Sequence, residues 1–168
     1  GVKVQHEAVI NHILWRVNCS SSNAEDVFFF KTPYTFDISI WEMFLWFFVG
    51  AKVSICAEGK ERNVDYVLTE ICNKKISVCQ FVPSMLLELL KFAKHRDAVG
   101  KLSSLRLVFS GGEVLHFSVV EKFRDILTKQ YGTLLYNVYG PTETTIDCTY
   151  FRCTNNEREI EMRKSVPI

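Results

Sequence analysis

The sequence predicts an α/β layered fold, a mostly parallel sheet flanked by helices, and three observations carry the prediction. Short β-rich runs alternate with stretches of helical periodicity along most of the chain. The spacing between successive strand-like runs leaves room for helical crossovers, which join parallel strands with a right-handed sense. A length of 168 residues, with 48% hydrophobic and 13% aromatic residues, suits one domain with a sizeable core and excludes disorder.

Periodicity puts a helix over residues 4–17, entered near Gln5 or His6, and a strand over 27–32, where Val27 opens a run of phenylalanines. Residues 39–49 read as a buried helix stopped at Gly50, and 52–57 as the next strand. An amphipathic helix over 64–72 leads to a strand at 76–82 that ends on Pro83. Leucines at helical spacing mark 84–94, and 105–110 is a strand broken by Gly111-Gly112. Residues 117–130 form the next helix and 134–139 a strand broken by Gly140-Pro141. Residues 146–153 read as strand again, and the charged, turn-rich stretch 154–164 as a surface loop or hairpin.

Composition narrows the function. Twenty Lys and Arg against nineteen Asp and Glu give a net charge of +1, too little to steer the chain to nucleic acid or a charged membrane. The longest apolar run, residues 43–49, falls well short of the roughly 18 residues a bilayer requires, so no membrane partner is expected. No leader is visible, and the opening Gly1 in place of methionine suggests an excerpt from a longer chain. The six cysteines (Cys19, Cys56, Cys72, Cys79, Cys148, Cys153) contain no C-x-x-C pair and read as reduced small hydrophobes in a cytoplasmic setting. His6, His12, His95 and His116 read as cap or surface histidines, and Trp15, Trp46 and Phe47-Phe48 as core packing. Lys91, Lys94, His95 and Arg96 make a solvated helix end.

Chemistry concentrates at four strand ends: residues 31–37, 80–84, 110–113 and 137–143. In a parallel sheet all four fall on the carboxyl edge, where ligands bind and helix N-termini point. Each has a bland reading, since glycine and proline after a strand make turns, Asp37 can cap a helix and Glu143 can complement a macrodipole. Together they gather carboxylates, hydroxyls, an amide and glycines at one mouth. In Tyr139-Gly140-Pro141-Thr142-Glu143-Thr144-Thr145, free amides and hydroxyls beside a carboxylate suit a phosphate and a magnesium ion.

Asn137-Val138-Tyr139-Gly140-Pro141-Thr142-Glu143 resembles the adenine and phosphate motif of adenylate-forming enzymes. Phe36-Asp37-Ile38-Ser39 with Trp41-Glu42-Met43-Phe44 is similar to a motif of amino acid adenylation domains in nonribosomal peptide synthetases. Gly1-Val2-Lys3-Val4 with His6 and Asn11, Ser110-Gly111-Gly112-Glu113, and Ser165-Val166-Pro167-Ile168 match in order and spacing. The resemblance covers essentially residues 1–168, as the central part of an AMP-binding adenylation domain within the large N-terminal portion of such an enzyme. It implies a phosphate-binding loop before Gly1, and a ribose-holding aspartate and a mobile lysine-bearing subdomain beyond Ile168.

The resemblance further implies roles. Tyr139 would stack on adenine, with Asn137, Gly111, Gly112 and Glu113 near the base and Gly140 in the phosphate turn; Thr142 would contact the α-phosphate and Glu143 bind Mg2+. Asp37 would pair with the α-ammonium of an amino acid. Asp37, Ile38, Trp41, Gln80, Val108, Ser110, Val138, Ile146 and Asp147 would line the side-chain pocket. Gln80, Ser110 and Asp147 imply a polar substrate, because an aliphatic one would strand each at about 1 to 3 kcal/mol. The set is most similar to serine-activating domains, with glutamine where these have histidine; a basic substrate paired with Asp147 is the other reading. ATP, an amino acid, and phosphopantetheine on a carrier domain, with condensation domains in the parent chain, are the implied partners, and the fragment alone is expected to be inactive. An acyl-CoA synthetase or a catalytically silent nucleotide-binding remnant are the alternatives.

Overall fold

The computed structural model describes residues 1–154 and 166–168. Helix α1 (His6–Ser20) precedes β1 (Val27–Phe30), α2 (Ser39–Val49), β2 (Lys52–Ile55), α3 (Val64–Lys74) and β3 (Val78–Phe81). Then come α4 (Pro83–His95), β4 (Leu107–Ser110), α5 (Phe117–Phe123), β5 (Leu134–Tyr139) and β6 (Thr149–Arg152). The strands form one sheet in the order β2-β1-β3-β4-β5-β6. Five are parallel and β6 runs antiparallel to β5, so the layered α/β fold expected from the sequence is the one found.

Local chemistry accounts for the boundaries. Asn63 accepts the Tyr66 amide to start α3, and Pro83 stands in the first turn of α4, where its missing N–H costs nothing. Gly50, at φ 67°, ends α2. Strand β1 stops at Phe30, two residues before the sequence suggests, because the Lys31 and Thr32 amides bond the Glu42 carboxylate instead of a ladder. Strand β6 starts at Thr149, three residues later than expected, because Thr145 and Ile146 adopt φ of 68° and 71°. Helix α5 passes into a π turn, Arg124–Thr128, before a last turn at Lys129–Tyr131. The charged stretch read as a surface loop, apart from Thr154, and Ser165 lie outside the described residues.

One face of the sheet is covered by α3, α4 and α5, whose Val67, Ile71, Leu89, Leu90 and Phe123 pack on Cys79, Val108 and Leu135. On the other face α1 and α2 bring Ile13, Trp41 and Leu45 onto Phe28, Val78, Phe109 and Tyr136. Two expectations need correction. His12 is buried on the inner face of α1. Phe47 is 74% exposed and Phe48 is exposed as well, because α2 buries only the stripe of Ser39, Trp41, Glu42 and Leu45.

The two edges of the sheet differ electrostatically. At the amino edge the buried Asp26 accepts Arg106 Nε at 2.6 Å and Ser77 Oγ at 2.7 Å. Burial works to raise this carboxyl's pKa, but the Arg106 and Ser77 hydrogen bonds outweigh it and hold it below the usual range. The Asp26 carboxylate is thus satisfied within the chain. At the carboxyl edge, β1 leads by α2 to β2 on one side and β3 lies on its other side, so the strand order reverses between β1 and β3. Those two strands share a single register pair, Phe28 with Val78, at the switch point, where α/β folds characteristically bind ligands.

Candidate active site

Polar atoms without partners cluster at this carboxyl edge. After β1 the chain turns through Pro33, whose carbonyl accepts the Phe36 amide at 3.0 Å, and enters α2. No side chain caps α2, so Asp37 does not serve the capping role open to it, and its Oδ2 is buried with no hydrogen-bond partner. Trp41, 1% exposed, lies edge-on to Phe28 and Phe109, with its Nε1 unpartnered. At the end of β3 both amide atoms of the buried Gln80 lack partners, and so does Ser110 Oγ at the end of β4. Such groups carry a desolvation cost that a bound polar ligand relieves.

Backbone closeness shapes the same place. A Cβ on Gly111 would stand 2.7 Å from Val138 Cγ2 and 3.4 Å from Gln80 Nε2, so only glycine lets β4's end approach β5 there. A Cβ on Gly140 would meet the Ile146 carbonyl oxygen at 2.5 Å and Asp147 Cα at 2.6 Å. The Gly140 turn is therefore roofed by the segment that carries Ile146 and Asp147. Ile146 is a buried β-branched residue in the left-handed region, a strained conformation held by its surroundings.

Thr142 and Glu143 sit in a short 3-10 turn, Thr142–Thr144, with Glu143 exposed. Tyr139, at the end of β5, is 50% exposed. Among the described residues no three His, Cys, Asp or Glu side chains converge. Strand ends β1 and β5 are three ladder spacings apart, about 14 Å. The segments that carry Asp37 and Glu143 leave the same edge of the sheet.

Other expected site residues have partners already. Glu113 accepts the Ser84 amide at 3.0 Å and the Ser84 hydroxyl at 2.9 Å, tying the β4 loop to the start of α4. Asn137 donates to the Pro167 carbonyl at 2.7 Å. Val108 is packed in the core under α3, α4 and α5, on the sheet face opposite Trp41, Val138 and Ile146, while Ile38 packs against the latter group. Asp147 is ion-paired with Arg16 and lies 3.7 Å from His12 Nε2. Burial and the Arg16 charge, against the pull of Asp147, lower the His12 pKa to about 4.

The sequence analysis gave no role to Arg16 or to Glu42 and read His12 as a cap or surface residue. The available signal was a polar side chain on an apolar stripe: α1 buries His12, Ile13, Arg16 and Ser20, and Glu42 interrupts the apolar run of α2.

Comparison with known proteins agrees with this architecture. The sequence matches the AMP-binding enzyme family over residues 1–167. Zwittermicin A synthase ZmaJ of Bacillus cereus is 40% identical over 94% of the chain, which spans 30% of that protein. Tyrocidine synthase 3 of Brevibacillus parabrevis is 37% identical over 94% of the chain, which spans 2% of it. The crystal structure of holo-AB3403, a four-domain nonribosomal peptide synthetase bound to AMP and glycine, superposes with a TM-score of 0.75. That match has 28% identity and covers 90% of this chain and 11% of the other. The chain belongs to the AMP-binding, adenylate-forming enzymes, as a fragment of an adenylation domain of the nonribosomal peptide synthetase kind.

Proposed function

We propose that this chain supplies the nucleotide and amino acid binding edge of a domain that activates an amino acid with ATP. The amino acid carboxylate attacks the α-phosphorus, giving aminoacyl-AMP and pyrophosphate, and a phosphopantetheine thiol on a carrier domain of the parent protein then takes the aminoacyl group as a thioester, releasing AMP. One observation carries the reading: near the switch point, at the carboxyl edge, buried polar atoms of Asp37, Trp41 and Gln80 have no partner.

Asp37 holds the α-ammonium through a charge-assisted contact. Tyr139 offers its ring face to adenine, and the Gly140 turn keeps backbone close to the phosphates. Thr142 would contact the α-phosphate, and Glu143 would hold a magnesium ion, which would neutralise phosphate charge. Catalysis rests on positioning and charge compensation, with no nucleophile supplied by the chain. Gln80, whose amide has no partner, favours a polar, serine-like side chain.

ATP–pyrophosphate exchange by the full-length adenylation domain, over a panel of amino acids and of fatty and aryl acids, tests this. Exchange with one or a few polar amino acids is expected. Asp37→Asn should raise the amino acid KM and Glu143→Gln lower kcat, each by about 100-fold. Exchange with fatty or aryl acids alone, or variants as active as the parent, would overturn the reading.

A further inference from the structure

Arg16 comes from α1, outside the four strand-end segments, and is 0% exposed. Its guanidinium carbon lies 4.3 Å from the Trp41 ring centroid and 4.1 Å from that of Phe109. One terminal nitrogen pairs with Asp147 Oδ2, while Nε and Nη1 have no hydrogen-bond partner. Two of its neighbours, Trp41 and Asp147, are residues assigned above to the side-chain pocket.

We propose that Arg16 is a specificity-determining residue: it occupies the Asp147 carboxylate, excludes amino acids with cationic side chains, and selects a neutral side chain that accepts hydrogen bonds. This rests on the amino-acid-activating function proposed above. A buried carboxylate standing alone at Asp147 would attract a substrate ammonium or guanidinium. Here the guanidinium of the chain itself fills that role and lies against both rings of the edge-to-face pair Trp41 and Phe109, as cation–π contact favours. Arg16 then repels a second cation in a site shielded from water, and its unpaired N–H groups favour an acceptor such as a hydroxyl or amide oxygen. The neighbouring His12 does not compete for Asp147, since burial and Arg16 keep the imidazole neutral near pH 7.

The test is ATP–pyrophosphate exchange by the full-length adenylation domain with serine, threonine, asparagine, glutamine, aspartate, glutamate, lysine, ornithine and 2,4-diaminobutyrate. The parent protein is expected to favour a neutral polar amino acid over each cationic one by about 100-fold in kcat/KM. Arg16→Met unmasks Asp147 and should raise kcat/KM for a cationic amino acid about tenfold or more relative to the neutral one. Asp147→Asn leaves Arg16 without its anion and should improve aspartate or glutamate to a similar degree, a reciprocal readout that survives if Arg16→Met does not fold. A purely structural role would lower all substrates together. Exchange that keeps the parent's charge ranking in the folded variants, or a parent that prefers a cationic amino acid, overturns the role of Arg16 alone. A parent that exchanges with no amino acid overturns the proposed function and this inference with it.

Discussion

The Glu42 carboxylate of α2 accepts the Thr32 amide at 2.7 Å and the Thr32 hydroxyl at 2.8 Å, so a buried charge on a helix terminates strand β1. It also accepts the Lys31 amide at 3.0 Å. Burial raises the Glu42 pKa, opposed by the Lys31 charge and by these hydrogen bonds. The contacts anchor the start of the loop that carries Asp37. Glu42→Ala strands two backbone amides and should cost about 3 kcal/mol in thermal unfolding of the adenylation domain. Glu42→Gln keeps part of the acceptor capacity and should cost about half as much. The alanine variant should also raise the amino acid KM, and a normal KM would show that the loop does not depend on this anchor.

Gly140 can be replaced by no other residue without moving backbone, because its Cβ would fall 2.5 to 2.8 Å from atoms of Ile146, Asp147 and Cys148. Gly140→Ala should weaken AMP binding by about tenfold or more, read by calorimetry, since the clash displaces the turn that carries Thr142 and Glu143. Unchanged affinity would mean that the turn is not part of the nucleotide site.

The folded-state pKa of His12 lies near 4 against an ordinary value of 6.5, so the unfolded chain binds a proton between these values that the folded chain refuses. Stability therefore rises with pH across that window and is lost as pH falls through it. The contribution is on the order of 3 kcal/mol. Melting curves from pH 4 to 7 should show a steeper acid decline in the parent than in His12→Gln. Parallel curves would remove His12 from the titration.

Arg106 and Asp26 lie at the amino edge, away from the proposed site. Arg106→Met should destabilise by about 3 kcal/mol while leaving amino acid preference and KM unchanged, because it strips a buried carboxylate of its main partner. The depressed Asp26 pKa makes this stabilisation full above the ordinary carboxylate range and lost as the medium is acidified. A change in substrate ranking in this variant would show that the two edges communicate.

Much of this was legible along the chain. The alternation of short runs predicts the parallel sheet, and the bounds of α2 and β5 follow from a glycine stop and a six-residue β-rich run between Thr133 and Gly140. The strand-end motifs also identify Asp37, Gln80, Ser110, Tyr139 and Glu143 as residues of one edge, because parallel strands bring their carboxyl ends together whatever the loops contain. Boundaries drifted where a side chain competed with the ladder, as Glu42 does at Lys31 and Thr32, or where backbone left the β region, as at Ile146.

By itself the sequence determined the layers, the sheet edge where the strand-end motifs meet and the family resemblance, since these depend on periodicity and on short contiguous motifs. Only the tertiary structure decided which polar groups at that edge remain free. Arg16 and Asp147 are 131 positions apart, and no local pattern couples them. Their pairing depends on α1 and the turn before β6 meeting over Trp41 and Phe109, a match of shape and charge between segments that only the folded chain brings together.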